Sequence, residues 1–196
     1  YLKSFGKRIH QTGEEYIDKN GRRRTRKKTG NKWFETQDQI AYYKEFEKEK
    51  IIYSEIVREQ QFYYDEKKYY PEATSFIMTG DNLKFIIALL NSDFVTWVFK
   101  IFYAGGGLGK KGFRYKKQFL ENLPLVKIGE KEQQPFIDRV NQIIKLTKSE
   151  DFGYNKSKQG EMNKIEEDIN NMVYKLYDLS AAEINYVEDF IRKSSN

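Results

Sequence analysis

Residues 105–112 read GGGLGKKG, and within them Gly107-Leu108-Gly109-Lys110-Lys111-Gly112 is a literal G-x-G-x-x-G. Glycines at that spacing can cradle a nucleotide phosphate, provided a strand leads in, a helix opens out and an acid follows about 20 residues on to hold the ribose. The flanks do not supply this. Phe94, Val95, Val98, Phe99 and Phe102 recur at helical spacing before the glycines. After them, FRYKKQF brings Arg114, Lys116 and Lys117 but no apolar helix face. A P-loop fails as well, because Lys110 is followed by Lys111 in place of Ser or Thr and Ala104 stands where the first glycine belongs. The stretch reads instead as a Gly-rich turn closing a helix, since glycine takes positive φ at little cost. Backbone amides and lysines in such a turn suit the phosphates of a polymer.

Other chemistries lack their residues. His10 is the single histidine, and there is no cysteine. A Ser–His–Asp triad would have to use His10, which reads better as a surface residue, and neither a zinc pair nor a thiolate site can be assembled. Glu66-Lys67-Lys68 has the E-x-K spacing of some nucleases, but no acid precedes it suitably and it falls in a charged turn. The three prolines, Pro71, Pro124 and Pro135, are never adjacent, so the Asn-Pro-Pro-aromatic tetrad of amino-methyltransferases is missing. What remains is basic residues interleaved with aromatics. Arg22, Arg23, Arg24, Arg26, Lys27 and Lys28 precede Trp33 and Phe34, and Lys110, Lys111, Arg114, Lys116 and Lys117 surround Phe113 and Tyr115. Arginine reads guanine edges bidentately and lysine pairs with phosphates, so these eleven side chains are the candidate DNA contacts.

The elements that must position them follow from the pattern. Asn20-Gly21 and Thr29-Gly30-Asn31 are turn chemistry bracketing the first basic run, which reads as an exposed loop or hairpin tip. Strands are expected at 50–57, 61–65 and 74–80, the last two around the charged turn, then a helix at 82–91, a break at Asn91-Ser92 and a second helix to about Tyr103. Residues 122–128 suit an edge strand or an extended segment because of Pro124. Further on, 134–148 carries one apolar stripe, a polar linker covers 149–160, and Ile165, Ile169, Met172, Val173 and Leu176 mark another helix. A last helix starts at Ser180, with Glu183 three residues on to complete a capping box. Of 35 Lys+Arg and 29 Asp+Glu, residues 130–196 hold 10 and 13, so all the positive excess lies before residue 130. This divides the expected organisation into a recognition domain at 1–129 and a C-terminal helical segment at 130–196. No apolar run is long enough for a membrane helix, and no signal-peptide pattern opens the chain. The expectation is a cytoplasmic protein. Starting at Tyr1 in place of Met, it is expected to be a piece of a longer one.

Four stretches taken in order, KWFE (32–35), KEKIIYSEI (48–56), FIMTGDNLKFIIALLNSDFVTWVF (76–99) and FRYKKQFLENLPL (113–125), resemble the TaqI-like C-terminal specificity domain. That domain is the target recognition module of adenine-specific DNA methyltransferases and of type IIG restriction–modification enzymes. The tail, DINNMVYKLYDLSAAEINYVE (168–188), is similar to the segment that often closes such chains. The resemblance implies an α+β fold, a small mixed or antiparallel sheet with helices followed by a C-terminal helical segment. It also implies double-stranded DNA as partner, beside the methyltransferase domain of the same chain, with or without a nuclease. S-adenosylmethionine, and Mg²⁺ where the parent cleaves, would belong to those other parts. The family pattern falls on Trp33, Ile51 and Ile52 as core, on the Leu90-Asn91-Ser92 helix break, where Asn91 would tolerate a left-handed turn, and on Arg114. Residues 20–31 depart from it as an insertion. Half of a type I specificity subunit, whose long helices set the spacing of half-sites, is the alternative reading; an intact small enzyme or a protein-interaction domain with incidental charge are the others.

Overall fold

The computed structural model describes residues 1–35, 41–72, 74–103 and 112–195. Two compact units divide the chain, Tyr1–Glu45 and Phe46–Asn196. The architecture is α+β with antiparallel pairing throughout.

The first unit opens with a 3₁₀ segment at Leu2–Ile9, broken where Gly6 takes φ 54°. A hairpin follows, β1 (Glu15–Ile17) paired to β2 (Arg23–Thr25) with Tyr16 opposite Arg24. The arginine run is therefore the returning strand of a hairpin as well as its tip. Trp33, expected in a core, is half-buried, with its ring 6.2 Å from His10 and 5.5 Å from Phe34. The apolar core contains no described residue before Ile51, so this indole is not part of it.

In the second unit β3 (Lys50–Ser54) is the central strand of three. The run expected as one strand over 50–57 breaks at Glu55. Beyond it, β4 (Ile56–Val57) belongs to a different sheet. Glu55 causes the change of partner: its amide donates to Thr74 O at 3.2 Å while its carbonyl accepts from Tyr115 at 2.8 Å. β5 (Phe62–Asp65) and β6 (Ser75–Met78) flank β3, one on each side, and do not pair with each other around the charged turn. Alternation places Ile51 and Tyr53 inward, opposite Tyr64 and Phe62. Ile52 is only partly covered.

α1 (Leu83–Leu90) ends at Asn91, which is right-handed at φ −90° and not left-handed as expected. The asparagine is held by its side chain. Its Oδ1 accepts from Phe62 N at 3.2 Å and its Nδ2 donates to Phe62 O at 3.0 Å, pinning the start of β5. Ser92 then caps α2 (Asp93–Val98), with Oγ accepting from Val95 N at 3.3 Å. A π-helical turn at Phe99–Tyr103 continues α2.

After β7 (Phe113–Arg114), which pairs with β4, comes the single turn of α3 (Lys117–Leu120). Residues 122–128 form no strand. The Tyr177 hydroxyl fixes them, donating to Pro124 O at 3.0 Å and accepting from Val126 N at 3.2 Å. α4 (Glu130–Thr147) begins earlier than expected, with Pro135 inside it and the Glu132 carboxylate accepting from Gly129 N at 2.9 Å. α5 (Lys156–Leu176) likewise starts within the expected linker, where the Asn155 side chain accepts from Ser157 N and Lys158 N. α6 (Ala181–Ser195) opens on the expected capping box: Ser180 N donates to Glu183 Oε2 at 2.8 Å. One apolar cluster joins these pieces, with Phe85 edge-on to Phe136 at 5.2 Å and Val140, Ile165, Ile169 and Val173 buried alongside.

Candidate nucleic-acid interface

The hairpin is organised by one carboxylate. Asp18 accepts from Asn20 N at 2.8 Å and Arg22 N at 3.0 Å, closing an Asx-type turn in which Gly21 takes φ 72°. Its second oxygen accepts from Arg24 Nε at 3.0 Å. The Arg22 amide, then the Arg24 guanidinium, hold the Asp18 carboxyl below its ordinary value. The strand parity agrees. Tyr16, Asp18 and Arg24 share one face of the ribbon, and Glu15, Ile17, Arg23 and Thr25 the other.

Each predicted basic residue in this unit therefore has a distinct situation. Arg24 is committed to Asp18, Arg23 lies 3.5 Å from Glu15, and half-buried Arg26 donates to Ile9 O at 3.4 Å. Arg22, Lys27 and Lys28 are exposed, with no side-chain partner among the described residues. The returning chain is tied down behind them by Gln11, 4% exposed, which joins the Thr29 hydroxyl at 2.6 Å and the Glu35 carbonyl at 2.5 Å. The result is a two-stranded ribbon edged with unpaired cations, a shape that fits against a phosphate backbone or into a groove. The sequence reading passes over Asp18 and Gln11. The signal for Asp18 was present, an Asp two residues ahead of Asn20-Gly21.

The second basic group is looser. Lys110 and Lys111, with glycines 105–109, lie outside the described residues. Lys116 is half-buried, and exposed Lys117 pairs with Glu121 at 3.4 Å. Arg114 is half-exposed, its Nη1 3.9 Å from Glu55 and its Nε buried without a hydrogen-bond partner among the described residues. Phe113 and Tyr115, interleaved with these cations in the sequence, are core residues at 5% and 2% exposure. Tyr115 meets Phe99 at 4.4 Å and Phe62 at 4.8 Å. Strand alternation explains this, since it turns Phe113 and Tyr115 inward and Arg114 outward.

The sequence model of the TaqI-like C-terminal specificity domain matches residues 7–125. The chain belongs to this family. The match runs from before the hairpin into the segment after α3, leaving α4, α5 and α6 outside it. No curated protein matches the chain. A TaqI-like specificity domain serves DNA target recognition in restriction–modification, so this chain has a DNA-binding role of that kind.

Proposed function

We propose that the chain is the target recognition part of a type II restriction–modification enzyme of the single-chain IIG kind, and that the methyltransferase it serves modifies adenine at N6. The family match over residues 7–125 carries this reading. The exposed Arg22, Lys27 and Lys28 on the hairpin support it, because guanidinium can read a guanine edge while ammonium groups hold phosphates. Lys110, Lys111, Arg114, Lys116 and Lys117 belong to the same proposed contact set. S-adenosylmethionine binds in the methyltransferase domain, where an adenine is flipped from the stack for reaction. Mg²⁺ belongs to a nuclease part where the parent cleaves, and the system works in the cytoplasm. One observation favours this over half of a type I subunit. α4 and α5 turn Phe136, Val140, Ile165, Ile169 and Val173 into the same core as α1, so their apolar faces serve their own unit and not a spacer.

Selection of bound duplexes from a random pool tests the proposal, with the chain alone and in its parent enzyme. One sequence containing an adenine should be enriched, and the parent should methylate that adenine. A bound pool that stays random in both forms overturns the reading.

A further inference from the structure

Arg23 and Arg24 are neighbours on β2, yet their ion pairs differ in kind. Arg23 lies 3.5 Å from Glu15 with both side chains largely exposed, and such a surface pair holds neither partner in place. The Asp18 side chain that meets Arg24 is only 18% exposed, and its Oδ1 already accepts from the amides of Asn20 and Arg22. Its Oδ2 accepts from Arg24 Nε at 3.0 Å. The carboxylate is thus a post fixed by the turn, and the guanidinium is tied to it by one edge. The other edge is open. Arg24 is half-exposed, and its Nη1 and Nη2 make no hydrogen bond among the described residues.

Two consequences follow for what this edge can bind. A free arginine gives up rotamer freedom when it docks, whereas one held through Nε has given up part of it on folding. The neighbouring carboxylate also selects the ligand. Asp18 offsets the charge of Arg24 and repels an approaching phosphate. A guanine edge is uncharged and accepts two hydrogen bonds, at O6 and N7, which is what two parallel Nη donors fit. Exposed Lys27 and Lys28 have no such neighbour and keep their full attraction for the backbone. The element carrying Arg24 suits the task, because a two-stranded ribbon enters a major groove. Strand parity places Arg24 and Asp18 on one face of that ribbon and Arg23 on the other.

We propose that Arg24 reads a guanine in the major groove of the target duplex, donating from Nη1 and Nη2 to O6 and N7, and that Asp18 is its positioning residue. This rests on the DNA-recognition role argued above and names a side chain and a base that supply part of its specificity.

The test is selection of bound duplexes from a random pool by the full chain and by Arg24→Gln, Asp18→Asn and Lys27→Gln. Affinities then follow across salt for the preferred duplex, its single-base variants and a scrambled one. Arg24→Gln should lose roughly five- to 150-fold of preference at one guanine, with preferences elsewhere kept. Asp18→Asn keeps Oδ1 for the turn amides but sets an NH₂ donor against Arg24 Nε. It should lose a smaller part of the preference at that same guanine, and affinity for the scrambled duplex should not fall, since a negative charge has gone. Lys27→Gln should weaken all duplexes alike and lower the salt slope by about one unit. A wild-type pool with no preferred sequence removes the recognition role and this assignment with it. A preferred sequence that Arg24→Gln enriches unchanged, or a loss at a base pair without guanine, overturns the Arg24 assignment alone. Equal weakening of every duplex by Arg24→Gln also overturns it, making Arg24 a phosphate contact. Equal weakening by Asp18→Asn would make Asp18 a structural residue only and overturn its positioning role.

Discussion

Lys50 and Asp65 show how much one residue pair can decide. They face each other across β3 and β5, ion-paired, both at 0% exposure. Lys50 Nζ also donates to Phe46 O at 2.7 Å, and Asp65 accepts from Lys67 N and Tyr69 N at 2.8 Å each. Every charge in this knot is compensated, so removing one partner strands the other. Lys50→Met and Asp65→Asn should each lower the unfolding free energy in urea by about 3–5 kcal/mol, with the double substitution costing clearly less than the sum. Single losses below about 1 kcal/mol would show that the pair is not closed to water. Nothing in KEKIIY tells Lys50 from exposed Lys48, because the partner that draws one of them inward is on another strand. Asn91 teaches the same lesson. Its place at a helix end was legible, but its grip on Phe62 was not, since that contact spans 29 residues.

At the scale of elements, local chemistry was legible wherever it was self-contained. Asn20-Gly21 marked the hairpin turn and Ser180 with Glu183 marked the start of α6, because each signal and its partner lie within a few residues. Elements shaped by distant partners were misjudged. The single strand expected over 50–57 is divided between two sheets by β7, more than 50 residues away. The first turn of α4 fell before the apolar stripe and was left out of the expected helix, and that of α5 looked like linker because its run is polar. The α6 cap yields a direct expectation. Ser180→Ala removes the acceptor for Glu183 N and the hydroxyl donor to its carboxylate. It should cost about 1 kcal/mol in thermal or urea unfolding and leave DNA affinity unchanged where the chain is folded. Loss of DNA affinity without loss of stability would put α6 on the reading surface instead.

For the whole molecule, charge and core occupy different ground. Residues 1–45 hold 12 Lys+Arg and 6 Asp+Glu, and residues 46–196 hold 23 of each, so the entire net charge of +6 belongs to the first unit. Composition alone made the basic excess visible but smeared it over everything before residue 130; only the fold shows that it ends by residue 45. Phosphate binding should follow that division. Replacing Arg22, Lys27 and Lys28 together by Gln should flatten the slope of log K against log salt by roughly two to three units, on cognate and scrambled duplexes alike. An unchanged slope would move the phosphate contacts out of the hairpin.

The apolar cluster has no described member before Ile51, and this bears on how such a protein diversifies. Side chains along the β1–β2 ribbon escape the volume matching that constrains a packed interior. On the proposed role of the ribbon, a lineage can exchange the side chains at positions 22–28 while inheriting β3, α1 and α4 unaltered. Novelty and heritage are kept in separate stretches of one polypeptide, and a change of recognised sequence need not pass through a poorly folded ancestor.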